Sequence, residues 1–204
     1  MTRISMQRSI DAPAAVVWAV VTDHELYGEV APNLSTVEVV EGDGEGMVRR
    51  CVDADGNEWT ESCTRWDDGR AFAVAVDVEH SEFHRRLFSR FEGEWRVAER
   101  GDGALVTVAF DFDTRYGPVG AVVSRILAYR ARSIVDAIFD GWDAEVASRL
   151  ADAAADTATG DATEPDAPDA NATERDTTEP DAPDPGRPGD PGGGQPPRPS
   201  GARR

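Results

Sequence analysis

Several groups of side chains in this chain have types and spacings that chemistry uses. His80 and His84 stand four apart with Glu82 between them. A zinc site wants three or four ligands, and His24 is the remaining histidine. The H-E-x-x-H and deaminase signatures are both absent, so His80 and His84 read as solvated loop histidines, with no metal or other cofactor expected. Asp53-Ala-Asp55-Gly-Asn57-Glu58 imitates a calcium loop, but Glu58 stands where an EF-hand needs Gly and a strand pattern follows instead of a helix. The run Gly42, Gly44, Gly46 opens no helix and so is no phosphate loop. No Gly-x-Ser-x-Gly elbow exists. Cys51 and Cys63 fall on neighbouring strand segments out of register, and the expectation is two reduced, buried thiols. A nucleophilic Cys63 would lack a histidine base nearby in sequence.

The more telling group is polar residues on a strand face. In Glu58 to Trp66 the odd positions put Trp59, Glu61 and Cys63 together. If that face turns inward, Glu61 is a carboxylate among apolar side chains, which needs a partner or a raised pKa. Arg49 or Arg50 on the preceding strand supplies the partner. With Asp55-Gly56 as a two-residue turn, Arg50 lies opposite Glu61 and Cys51 opposite Thr60. If the face turns outward, Glu61 and Arg50 are a solvated cross-strand pair of little energetic weight.

The elements that must position these residues follow from periodicity. Ile4-Ser-Met6-Gln-Arg8-Ser-Ile10 alternates as a half-buried strand. Asp11 is placed to cap a helix across Ala14 to Thr22, with Pro13 in its first turn. A short helical turn across His24 to Glu29 ends at Pro32. Strand patterns then cover Thr36 to Glu41, Met47 to Asp53, Glu58 to Trp66, Ala71 to Glu79, Phe88 to Ala98 and Ala104 to Thr114, separated by Gly and Asp turns. From Pro118 to about Leu150 the residues Val122, Val123, Ile126, Ile134, Ile138, Trp142, Val146 and Leu150 recur at helical spacing. Consecutive hairpins imply an antiparallel sheet, and the long helix must lie across it to bury both faces. The fold class is α+β.

Composition breaks after Leu150. From Ala151 to Arg204 there is no Val, Ile, Leu, Met, Phe, Tyr or Trp, and the stretch holds 10 of the 13 prolines. Such a segment cannot offset the entropy of ordering, so 1–150 is expected as the folded domain and 151–204 as a disordered acidic Pro/Gly-rich tail. Thr163 to Asp169 returns as Thr178 to Asp184, a single recurrence and too little for a solenoid. The 204 residues carry a net charge of −18, with 21 Arg and no Lys. That balance disfavours nucleic acid as a partner, because polyanions repel. A lysine-free acidic surface suits a salt-rich, halophilic cytosol, where screening quiets self-repulsion. A GC-rich genome would also favour Arg over Lys. No window approaches the ~18 apolar residues of a membrane span, and no signal-peptide h-region opens the chain. The expectation is a cytoplasmic protein with no membrane insertion, a monomer or weak homodimer.

Ile10-Asp-Ala-Pro13-Ala-Ala-Val-Val-Trp18 followed by Thr22-Asp23 resembles the start of START-like (SRPBCC) proteins. The hairpin Arg50-Cys51 … Gly56-Asn-Glu-Trp59-Thr-Glu61-Ser-Cys63 and the closing Tyr116-Gly117-Pro118 … Gly141-Trp142 are similar to the polyketide cyclase/dehydrase and lipid-transport branch of that superfamily. The resemblance covers residues 2–150. It implies a helix-grip fold, a curved antiparallel sheet of about six to seven strands wrapped around the C-terminal helix, with a cavity between them for a small hydrophobic ligand. Trp59, Cys63, Arg50, Phe72, Val74, Trp95, Phe110 and Phe112 would line that cavity from the sheet, and Ile126 and Tyr129 would face them from the helix. The same aromatics would equally fill a plain core. Two functional classes follow by analogy. One is a carrier that binds a lipid-, isoprenoid- or polyketide-like molecule; the other is a cyclase or dehydrase in which Glu61, with Tyr116, moves a proton. A protein-interaction module using the open end of the grip is a third reading.

Overall fold

The computed structural model describes residues 1–116 and 120–160, with side chains at 1–116 and 125–157. Strand β1 (Thr2–Ile10) leads into helices α1 (Ala14–Val21) and α2 (His24–Val30). Four strands follow: β2 (Leu34–Glu41), β3 (Val48–Asp53), β4 (Glu58–Asp67) and β5 (Ala71–Val76). A short helix α3 (Glu82–Leu87) precedes β6 (Phe88–Arg100) and β7 (Gly103–Thr114), and helix α4 spans Gly120–Gly160. The strands form one antiparallel sheet in the order β1-β7-β6-β5-β4-β3-β2. The first strand thus closes against the last, and the two helices α1 and α2 carry the chain across to the opposite edge. The described residues belong to one compact unit.

Local chemistry explains the helix starts. Pro13, not Asp11, is the residue before α1, and no side chain caps that end. Asp11 stands two positions too early for the role expected of it. Asp23 does cap α2, accepting from the Leu26 backbone N–H at 3.1 Å. Ser81 caps α3 through the His84 backbone N–H. Helix α4 runs past the expected boundary at Leu150 because Ala151, Ala153, Ala154 and Ala155 are strong helix formers and no proline follows until Pro165. Residues 151–157 are exposed and add nothing to the core. The expected disordered tail lies, from residue 161 on, outside the described residues.

Two apolar clusters fill the space between sheet and helices. The larger joins Val17 and Val20 of α1, Phe72 and Trp95 of the sheet, and Val135, Ile138, Trp142 and Val146 of α4. The smaller gathers Ile4, Val76, Phe88 and Phe112, with Leu127 and Ala128 of α4 against it. Each fully buried aliphatic or aromatic side chain there contributes roughly 1.5–3 kcal/mol. Between the two clusters, α4 does not close onto the sheet, and a cavity remains.

Candidate functional site

The β3–β4 hairpin sets the polar centre of that cavity. Its loop has three residues, Ala54 to Gly56, instead of two, because the Asp53 backbone N–H already donates to the Asn57 carbonyl at 3.0 Å. The Asp53 carboxylate accepts from the backbone N–H of Asp55 and of Asn57, and Gly56 adopts a φ of 84°. The longer loop moves the register by one residue, so Glu61 lies opposite Arg49, Arg50 opposite Thr60, and Cys51 opposite Trp59. A one-residue slip exchanges the faces of a strand. Arg50 therefore points outward, half-exposed, and pairs with Glu38 and Glu58 at the surface. Arg49 takes the inward place and is 1% exposed.

Glu61 is held from two sides. Arg49 Nε donates to Oε2 at 2.8 Å, with its terminal nitrogen 2.6 Å from the same oxygen. Trp59 Nε1 donates to Oε1 at 2.9 Å. The guanidinium also lies over the rings of Tyr27 and Trp95, at 5.2 and 5.4 Å from their centroids, and donates to His24 Nδ1 at 3.0 Å. Burial, the largest single effect, pushes the Glu61 carboxyl up, but the Arg49 charge and the Trp59 and Arg49 hydrogen bonds together outweigh it, so the carboxyl sits below its usual range. Burial, and then the Arg49 charge, hold His24 down to about 4. Burial raises the Cys51 thiol and the Tyr27 phenol. At neutral pH the centre is therefore one buried ion pair ringed by uncharged groups.

The cavity measures about 740 Å³, within the roughly 300–1,000 Å³ of small-molecule sites. Trp59, Phe88, Phe91, Trp95, Phe110 and Phe112 form its aromatic wall, and Leu127, Ala131 and Ile134 of α4 its roof. Gly93 is on the wall because a Cβ there would stand 2.6 Å from the Trp95 ring. Glu61, Tyr27 and His84 supply polar groups. Phe83 and Tyr129 line the cavity yet remain exposed, at 43% and 80%, and so mark its mouth.

His84 corrects the expectation of a solvated loop histidine. It is 7% exposed, on α3, and packs 4.8 Å from the Trp59 ring centroid. Ser81 Oγ accepts from the His84 backbone N–H and lies 2.8 Å from Nδ1, so its hydroxyl hydrogen is free to donate to that nitrogen. This pattern assigns the ring hydrogen to Nε2, a remaining donor. Burial lowers the His84 pKa against the upward pull of Glu61 and Asp53. His80, by contrast, is an exposed partner of Asp77.

Of the residues singled out in sequence, Glu61, Trp59, Val74, Trp95, Phe110, Phe112 and Tyr129 line the cavity. Cys63 and Phe72 are buried beside it, in the larger apolar cluster, and both cysteines are free thiols. Three expectations fail. Arg50 is outside, as above. Ile126 is 59% exposed because Leu127 and Ala131 take the inward face of α4. Tyr116 is 44% exposed and does not line the cavity. Sequence reasoning missed His84, Tyr27 and Phe83. The Ser81-Glu82 pair is a helix-start signal that would have placed α3 and lifted His84 off a loop.

A family model described as polyketide cyclase/dehydrase and lipid transport matches residues 1–147. No curated protein matches the chain. Among solved structures, the Zhui aromatase/cyclase from Streptomyces sp. R1128 is similar at 21% identity over 73% of this chain and 95% of its own, with a TM-score of 0.60. TTHA0849 from Thermus thermophilus has 20% identity over 72% and 99%, with a TM-score of 0.59. A START superfamily protein from Mycobacterium smegmatis has 14% identity over 72% and 97%, with a TM-score of 0.56. At these identities the likeness is one of fold.

Proposed function

The chain belongs to the polyketide cyclase/dehydrase and lipid-transport family, and from that premise we propose that it binds a small, largely apolar molecule in the cavity under α4 and releases it unchanged. The observation that carries this reading is the state of Glu61. Both of its oxygens are bonded, to Arg49 and to Trp59, and its carboxyl is held ionised. A general acid needs a proton near neutral pH, and a general base needs a free lone pair near the substrate. Glu61 is poorly suited to both. The aromatic wall, in contrast, offers large apolar area with a few convergent polar groups, the usual composition of a binding site. The ligand's apolar body would lie on the aromatics, and one hydrogen-bond acceptor would meet His84 Nε2.

A second reading, a cyclase or dehydrase, draws on His84. An uncharged imidazole on a cavity wall, with Ser81 on Nδ1 and the ring hydrogen on Nε2, presents a donor that can polarise a substrate carbonyl and hand it a proton. Native mass spectrometry of protein purified from its own host separates the two. A stoichiometric adduct recovered chemically unchanged after incubation supports the carrier. An adduct that converts to a product 18 Da lighter, or to an isomer separated by chromatography of the released ligand, in wild type and not in His84→Ala, supports the enzyme.

A further inference from the structure

Ten of the described arginines close ion pairs with acidic side chains. Among the described residues Arg85, Arg125, Arg130 and Arg132 have no acidic partner, and all four are exposed. Arg70 and Arg100 also lack one and sit singly at the β4–β5 and β6–β7 turns. The first four gather on the two helices that frame the cavity mouth. From Arg115 to Val135 the sequence contains four Arg and no acidic residue, whereas six acidic residues and one Arg follow on α4 between Asp136 and Asp156. In a chain of net charge −18 this is a local reversal of sign.

The same stretch exposes apolar side chains. At 100° per residue, the outward arc of α4 places Ile126, Tyr129 and Ser133 in its middle. Arg125 and Arg132 lie on one flank and Arg130 on the other, while Leu127, Ala128, Ala131 and Ile134 turn inward. Ile126 is 59% exposed and Tyr129 80%, so both project from the surface. Phe83 and Arg85 are likewise exposed, on the two flanks of α3 either side of the buried His84. A protein partner typically anchors side chains in pockets. Projecting apolar tips flanked by arginines match a lipid headgroup boundary, where the tips enter the acyl edge and the guanidinium groups reach phosphate.

We propose that this rim, α4 residues 125–133 with Phe83 and Arg85 of α3, docks onto an anionic lipid surface and holds the cavity mouth against it. The idea rests on the proposed function for its purpose, since an apolar cargo crosses between cavity and bilayer without meeting water. The acidic remainder of the protein does not prevent contact, because at 0.1 M salt charges beyond about 10 Å are screened.

The test is co-sedimentation of the full chain with phosphatidylglycerol/phosphatidylcholine vesicles at 0.1 M NaCl, beside pure phosphatidylcholine vesicles and soluble poly-glutamate. Binding is expected on the anionic vesicles and much less on the neutral ones. Each arginine near an anionic surface contributes about fivefold, so R85S/R125S/R132S should weaken binding about a hundredfold. R85K/R125K/R132K should keep it, and Ile126→Ser should weaken it several-fold. None of these residues lines the cavity, so uptake of an uncharged fluorescent probe should be unchanged in all of them. Equal binding to neutral vesicles, no vesicle binding, or an unaffected R85S/R125S/R132S variant would overturn the proposal. Binding to poly-glutamate with none to vesicles would overturn it in favour of an acidic protein partner. Vesicle binding with no probe uptake would leave the docking face standing and remove the carrier reading.

Discussion

Arg49 and Glu61 face each other across the β3–β4 ladder, both nearly water-free, with a guanidinium nitrogen 2.6 Å from Glu61 Oε2. The pair lies between the sheet and Tyr27, and its two ions are solvated by side chains in place of water. Isolating either ion is costly in such a setting, and the pair's net worth is the small difference of large terms.

Removing one partner should therefore be worse than removing both. Arg49→Met or Glu61→Leu alone should cost about 3–5 kcal/mol, because each leaves a buried charge uncompensated. The double variant Arg49→Met/Glu61→Leu should cost less than either. Arg50→Ala, on the outer face, should change stability by about 1 kcal/mol or less. Urea denaturation of the four proteins checks this. Equal losses at Arg49 and Arg50 would mean the register is wrong.

Stability should fall on acidification before the carboxylates titrate. His24 is held at about 4 in the folded chain, and His84 is also lowered. In the unfolded chain histidine titrates near 6.5. Both groups therefore add stability above pH 6.5 that is lost as pH drops from there through the folded values, at about 1.4 kcal/mol per unit of separation. Melting temperature against pH should slope upward between about pH 4 and 6.5, and His24→Gln should flatten that slope. An unchanged slope in His24→Gln would assign the acid sensitivity elsewhere.

The acidic balance predicts a salt response. The 204 residues hold 39 acidic side chains against 21 arginines. Raising KCl to 1 M shortens the screening length to about 3 Å and should quiet the repulsion. The melting temperature should rise with KCl. A flat or falling curve would leave genome composition as the reason for the missing lysines.

The outline of the fold was legible because its signals are repetitive. Period-two strands between Gly–Asp turns and a helical stripe from Ile134 to Val146 need no tertiary context. The candidate site was only half legible. Asp55-Gly56 suggests a two-residue turn, and the wider loop depends on Asp53 bonding its own backbone, a choice between near-equal conformations. That one residue decides whether Arg49 or Arg50 meets Glu61. Helix α3 has six residues, too few for periodicity to reveal. On α4 the inward face near the cavity is built partly of small residues, Ala128 and Ala131, which leave room for a ligand and carry little hydrophobic signal. Ile126, more apolar, turns to solvent.

Under the proposed function, the space between Trp59, Trp95 and the roof residues of α4 is the binding site. Titration of the protein with 1-N-phenylnaphthylamine, an uncharged apolar probe, tests it most directly. One molecule per chain should bind saturably and change tryptophan emission, because the ligand replaces water beside the two indoles. Val76→Trp, which fills the cavity from β5, should weaken binding at least tenfold while costing about 1–3 kcal/mol or less in stability. No saturable binding to the wild type, or equal binding to Val76→Trp, would contradict the account.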